Sequence, residues 1–244
     1  MENGNGGVDL DIRVFAELEV ADGIFLRISE TTVSIWIVMA VLISLCIYIR
    51  VKSKKWDSTK KPEGLQNFVE LCVGGFMGFF VNTANKKMAF LTPWFFTLFT
   101  FLLFSNIIGV FGLRPATADW GLTFPLAFVS FCLIQFSGLY ARPKSYLKGI
   151  FLEPSPWVSW FFAPLNIIGE LVRPIALSFR LFGNILGGFI LMYLLYNIAP
   201  LPLQLFVPVP LHMYLDLAVG LLQAFIFTVL SLAILGVASS GEEA

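Results

Sequence analysis

The sequence predicts an all-α integral membrane protein with about five transmembrane helices plus one interfacial amphipathic helix, the last two spans forming a long tilted hairpin. Three observations carry that prediction. Of 244 residues, 57% are hydrophobic and only 13% charged, where a soluble domain carries about 25% charged residues. Phenylalanine occurs 26 times and mean hydropathy is +0.82. Apolar stretches long enough to cross roughly 30 Å of hydrocarbon recur between basic or proline-rich breaks. That composition makes the lipid bilayer the expected surrounding medium, and the formal net charge of +0 argues against a nucleic-acid partner. Cys46, Cys72 and Cys132 are scattered through apolar stretches with no spacing suited to zinc or redox chemistry. They read as buried, inert thiols, and neither a metal nor a cofactor is expected.

Residues 1–32 read as an extracytoplasmic N-terminal segment and 33–244 as the membrane domain. Residues 1–28 are polar, with six carboxylates against two arginines, and read as an aqueous tail holding at most a short helix. The first span, 33–49, is nearly all apolar. Glu17, Glu19 and Asp22 precede it while Arg50 and Lys52 follow it. That order is the reverse of a cleaved signal peptide, so the run is expected to be a permanent span. A basic linker runs to Lys60-Lys61-Pro62. Over 64–85, Phe68, Leu71, Cys72, Phe76, Phe79 and Phe80 recur at helical spacing, interrupted by Gln66, Asn67, Glu70, Asn82 and Asn85. The mixture suits a helix lying in the interface, with a weakly apolar span as the competing reading. Residues 88–112 form the second span, and Leu113 to Gly121 a loop by its Pro, Gly and Asp content. The third span, 122–141, is closed by Arg142-Pro143-Lys144. After a connection rich in Pro and Trp (Pro154 to Pro164) come the last two, 165–198 and 206–238, separated by Pro200, Pro202, Pro208 and Pro210.

Basic residues set the expected orientation. The loops after the first and third spans, together with Lys86 and Lys87, hold eleven of the 16 lysines and arginines, while Arg13, Arg27 and Arg114 fall on the other side. The positive-inside rule then places the N-terminus outside and the C-terminus in the cytoplasm. Arg173 and Arg180 are left inside hydrophobic stretches.

The stretch 165–198 would measure roughly 50 Å as one helix, more than a bilayer core needs, so it must tilt or bend, and Pro174 offers a place to bend. Asn166, Glu170, Arg173, Arg180 and Asn184 fall at offsets 0, 4, 7, 14 and 18. At about 100° per residue they share an arc of roughly 80°, which Gly187 and Gly188 continue. In the last stretch His212, Asp216 and Gln223 fall within about 40° by the same rule. Folding the two as an antiparallel hairpin brings Arg180 to about the depth of Gln223. Asp216 and His212 then lie toward the outside and Glu170 toward the inside. Plainer readings stand beside this one. Glu170 and Arg173 fit a simple i,i+3 ion pair, His212 an interfacial hydrogen-bonder, and Asn166, Asn184 and Gln223 polar glue between helices. Arg180 resists such a reading. Phe, Leu, Ala, Ile and Pro surround it, and a mid-membrane arginine costs about 3 kcal/mol on insertion scales and about 10 or more in simulations.

Leu177-Ser178-Phe179-Arg180-Leu181-Phe182-Gly183-Asn184 resembles the signature helix of subunit a of bacterial F-type ATP synthases. Gln223-Ala224-Phe225-Ile226-Phe227-Thr228 resembles the last helix of the same family. Asn106-Ile107-Ile108-Gly109 and Thr117-Ala118-Asp119 fit as well. The resemblance covers most of the chain beyond residue 33. It implies a non-catalytic stator subunit of a bacterial cell membrane, in which Arg180 faces the carboxylates of a rotor c-ring with Asn184 and Gln223 beside it. The implied partners are the c-ring, the peripheral b stalk and the catalytic head. Many bacterial members carry a glutamate five residues after the signature asparagine and a histidine seven before the glutamine; here those positions are Phe189 and Asp216. The expected mechanism is two offset half-channels, an outer one past His212 and Asp216 and an inner one near Glu170, kept apart by Arg180. H⁺ and Na⁺ both remain open as the ion. Two other classes remain open: a stand-alone transporter, which usually shows an internal repeat that is not evident here, and an intramembrane hydrolase, which needs a nucleophile and base in reach.

Overall fold

The computed structural model describes residues 14–21, 24–54, 56, 64–84, 86–111, 113–143, 146, 156–198 and 200–240, with side chains left out at 14–28, 156–163, 201, 205, 212 and 240. Its first element is an antiparallel pair of strands, β1 (Val14–Ala21) and β2 (Ile24–Ser29), with Ala21 opposite Ile24 and Glu17 opposite Arg27. Within the described residues, the tail expected to hold at most a short helix is therefore a strand pair. Asp22-Gly23 separates the strands in the sequence, and Asp-Gly is among the dipeptides that most favour a two-residue connection.

Helix α1 (Glu30–Ser53) starts at the Ser29 side chain, which accepts from the Thr32 backbone N–H. Arg50 and Lys52 sit in its last turn, where cations complement the helix dipole. Helix α2 (Leu65–Thr83) buries only Phe80. A 3₁₀ segment, Lys86–Leu91, leads into α3 (Thr92–Ile107), and a second, Ile108–Phe111, ends it. Asp119 caps α4 (Trp120–Ala141) by accepting from the Gly121 N–H at 2.8 Å, and its other oxygen accepts from the Thr31 hydroxyl at 3.4 Å. That contact ties the loop before α4 to the start of α1.

Helix α5 (Pro156–Ile198) runs 43 residues without interruption through Pro164 and Pro174. Two short helices, α6 (Leu201–Phe206) and α7 (Pro208–Met213), turn the chain. A π-helical segment, Tyr214–Val219, then feeds α8 (Gly220–Ser240). Five segments are long and apolar enough to cross a membrane: Glu30–Ser53, Lys86–Phe111, Trp120–Ala141, Pro164–Ile198 and Pro208–Ser239. The expected all-α membrane class holds.

Packing departs from a simple hairpin of the last two helices. One core cluster joins Phe80, Met88, Phe95, Ile134, Leu232 and Leu235 from α2, the 3₁₀ segment, α3, α4 and α8. The other joins Leu98, Leu102, Ala127, Leu181, Ala224 and Phe227 from α3, α4, α5 and α8. Helix α5 packs chiefly on α4 and α8 about equally on α3 and α4, while α5 and α8 meet each other only over a short crossing. Gly236 lets α8 close on the end of α2: a Cβ there would stand 2.5 Å from the Thr83 carbonyl oxygen. The three thiols correct the sequence reading, since Cys46, Cys72 and Cys132 are all exposed. They lie on outward faces of α1, α2 and α4, and in a lipid-facing surface an apolar thiol needs no burial.

Candidate functional site

The site is built on one helix with two unlike sides. Pro174, Ser178, Leu181 and Met192 form the buried face of α5, and the Ser178 hydroxyl lies 3.4 Å from that of Thr123 on α4. On the open side, a Cβ at Gly169, Gly183 or Gly187 would meet nothing within 4 Å. The polar stripe runs along the border between the two. Arg180 is exposed on the open side. Among the described residues no carboxylate pairs with it.

Toward the C-terminal end of α5 the stripe meets the crossing with α8. Asn184 Nδ2 donates to Gln223 Oε1 at 2.7 Å. Gln223 is 4% exposed, and its own Nε2 has no partner among the described residues. Both border a narrow cavity of ≈ 30 Å³, whose wall also includes Asn106, Pro115, Gly188, Phe189, Leu215 and Asp216. A space of that size holds about two water molecules. Asp216 stands on the π-helical segment, with its carboxyl carbon 3.2 Å from where a Cβ of Gly109 would be. Such segments are rare and gather at functional sites. Here it changes the angular phase between Asp216 and Gln223 that the 100° rule assumes, yet both still line the cavity. Asn106 holds the end of this segment, donating to the Gly220 carbonyl at 2.9 Å and accepting from the Thr117 hydroxyl at 2.7 Å. Close approach requires the glycine, because a Cβ at 220 would lie 2.7 Å from the Asn106 Cβ. His212 belongs to α7, but its side chain lies outside the described residues. At position 189 the phenyl ring carries the Arg114 guanidinium 5.8 Å from its centroid, a cation–π arrangement.

Toward the N-terminal end of α5 a second group forms. Arg173 pairs with Glu170 Oε1 at 2.8 Å, and Gln135 Nε2 of α4 donates to Glu170 Oε2 at 2.8 Å. Arg173 is 46% exposed and Glu170 19%, so the ion pair spans the border between open and packed faces. Tyr146 donates its phenol to Gln135 Oε1. Burial pushes that phenol up to about 12, with the Glu170 charge adding and Arg173 opposing. Asn166 lies one turn from Glu170 and is partly buried. Among the described side chains, the expected residues fall into two polar groups, Asn184, Asp216 and Gln223 in one and Glu170 and Arg173 in the other, with Arg180 between them along α5.

Gln135 and Tyr146 escaped the sequence reading. Gln135 carried a signal, as a lone amide inside the third span, where polar side chains tend to face protein. Tyr146 carried none, because loop sequence does not reveal which helix a ring will lie on.

A family model of the ATP synthase A chain matches residues 32–235. The chain belongs to the ATP synthase A chain family. Similarity to individual members spans most of both chains. Subunit a 2 of Syntrophotalea carbinolica is 33% identical over 230 residues, 94% of this chain and 91% of its own. The sodium ion specific subunit a of Propionigenium modestum is 34% identical over 238 residues, covering 88% and 76%. Subunit a of Syntrophobacter fumaroxidans is 33% identical over 198 residues, covering 81% and 79%. As an ATP synthase A chain, this is a multi-pass membrane subunit, and its work is ion passage in the membrane sector of an F-type ATP synthase.

Proposed function

We propose that the chain is the non-catalytic stator subunit whose two offset half-channels carry H⁺ or Na⁺ to and from the carboxylates of a rotor c-ring. The observation that carries this reading is the exposed Arg180, without a carboxylate among the described residues, between two separate polar groups. Along α5 the Glu170 group lies roughly 15 Å from Arg180 in one direction, and Asn184 and Gly188 roughly 6 and 12 Å in the other, at 1.5 Å per residue. An arginine left in lipid is costly, so its counter-charge comes from a partner, and the open glycine-lined side of α5 has room for one.

The N-terminus lies outside and the C-terminus in the cytoplasm of a bacterial cell membrane, by the distribution of lysine and arginine. Helix α2, absent from the five candidate spans, lies in the interface. The peripheral b stalk and the catalytic head complete the assembly. From outside, an ion passes His212, enters the cavity beside Asp216, Asn184 and Gln223, and neutralises a rotor carboxylate. The neutral carboxyl then turns through lipid until it reaches the Glu170–Arg173 side, where the ion leaves. Arg180 favours the ionised form of each carboxylate brought against it and repels a cation moving straight between the paths. The membrane potential supplies about 2.3 kcal/mol per charge per 100 mV, which a leak past Arg180 would dissipate.

Arg180→Ala tests this in the assembled enzyme reconstituted into vesicles. ATP-driven ion uptake is expected to vanish while the subunit still co-purifies with the c-ring. Arg180→Lys is expected to be severely impaired as well, since an ammonium is a more strongly hydrated point charge without the planar fork. Near-normal coupled ATP synthesis in Arg180→Ala would sink the reading.

A further inference from the structure

Gly138 lies on α4 one turn after Gln135, and the Tyr146 ring lies against it: a Cβ at 138 would stand 2.8 Å from Tyr146 Cε2. The backbone fixes the ring there, because Arg142 N–H bonds the Gly138 carbonyl and Tyr146 N–H bonds the Arg142 carbonyl. From that seat the phenol donates to Gln135 Oε1, and Gln135 Nε2 donates on to Glu170 Oε2. A glutamine amide has an acceptor end and a donor end. With the acceptor end held by a hydroxyl, the donor end is the one that meets the carboxylate. Burial pushes the Tyr146 phenol up to about 12, so at neutral pH it keeps its proton and stays a donor. The other carboxylate oxygen is taken by Arg173.

We propose that Gln135 and Tyr146 are positioning residues of the inner pathway, fixing the Glu170 carboxylate beside the polar stripe of α5. The inference rests on the assignment of Glu170 to that pathway. Without the phenol the amide is free to turn over, which places its oxygen against a carboxylate oxygen and loses the hold on Glu170. Tyr146→Phe keeps the ring on Gly138 and removes only the hydroxyl. Gln135→Met keeps the length of the side chain and removes both polar ends.

The experiment compares Tyr146→Phe, Gln135→Met, Glu170→Gln and the double variant Tyr146→Phe with Glu170→Gln, each in the assembled enzyme in lipid vesicles. It reads the initial rate of ATP-driven ion uptake per assembled complex. Tyr146→Phe and Gln135→Met are each expected to lower the rate by roughly threefold to tenfold, within the range of coupling between touching residues. In the Glu170→Gln background, Tyr146→Phe is expected to cause no further loss, because no carboxylate is left to hold. Wild-type rates in both single variants would overturn the proposal. So would an equal fold-loss from Tyr146→Phe in both backgrounds, which marks a general structural role. A wild-type rate in Glu170→Gln would overturn the assignment of Glu170 itself, a distinct failure. Should Gln135→Met not assemble, Tyr146→Phe alone decides.

Discussion

Asp216 occupies a slot shaped by missing atoms. Its carboxyl fits because residue 109 has no side chain, and the Pro115 ring closes the slot beside it. The cavity it shares with Gln223 has space for water but little else. Asp216→Asn keeps the size and most hydrogen-bonding capacity while removing ionisation. The expected outcome is a fall in ion flux of about a hundredfold, the low end of what a positioned proton-transfer group contributes, with the complex still assembled. His212→Ala is expected to give a milder, pH-dependent loss. Flux assays across a pH series check both, and wild-type behaviour in Asp216→Asn would place the outer pathway elsewhere. Single residues were unevenly legible. Arg180, Glu170 and Arg173 announced themselves because ions in an apolar stretch need a reason. The Arg114–Phe189 contact was invisible, since it depends on a loop meeting a helix 75 positions away.

At the scale of elements, the π-helical segment Tyr214–Val219 is the least regular part of the last span and the part that carries Asp216. Asn106 holds its end through Gly220. Gly220→Ala drives a methyl into the Asn106 Cβ, and overpacking of this kind costs about 1–3 kcal/mol. The expected result is a lower melting temperature of the detergent-solubilised complex and slowed ion flux together. Gly75→Ala, where a Cβ meets nothing within 4 Å, is the control and is expected to melt like wild type or slightly higher, since alanine is the better helix former. Helices were legible from length and hydrophobicity, but the winding inside one was not. A period read at 100° per residue assumes α geometry and cannot detect a wider turn. The N-terminal hairpin is the reverse case: Asp22-Gly23 between the alternating segments around Leu18 and Leu26 is a local signal that a polar, acidic composition obscured.

For the whole molecule, the class was legible because lipid leaves few ways to satisfy a backbone, and an uninterrupted helix is the simplest. Packing was not, because hydropathy says which segments enter the membrane and nothing about their neighbours. Thus α5 rests mainly on α4, and α8 on α3 and α4 alike. For the same reason Cys46, Cys72 and Cys132 face outward. Orientation has its own test. Single cysteines at Asn5 and Ser58, in a background without the native three, are expected to react with an impermeant maleimide from opposite sides of the membrane. Labelling of both from one side would refute the proposed topology. The open side of α5 has, finally, a mechanical meaning. Around Arg180 it is floored by Gly169, Gly183 and Gly187, where added bulk would meet nothing. In the proposed assembly these three positions would act as reliefs between the exposed Val172, Phe179, Leu191 and Leu194. A rotor carboxylate would then be halted by charge, at Arg180, while the glycines leave clearance on either side of the stopping point.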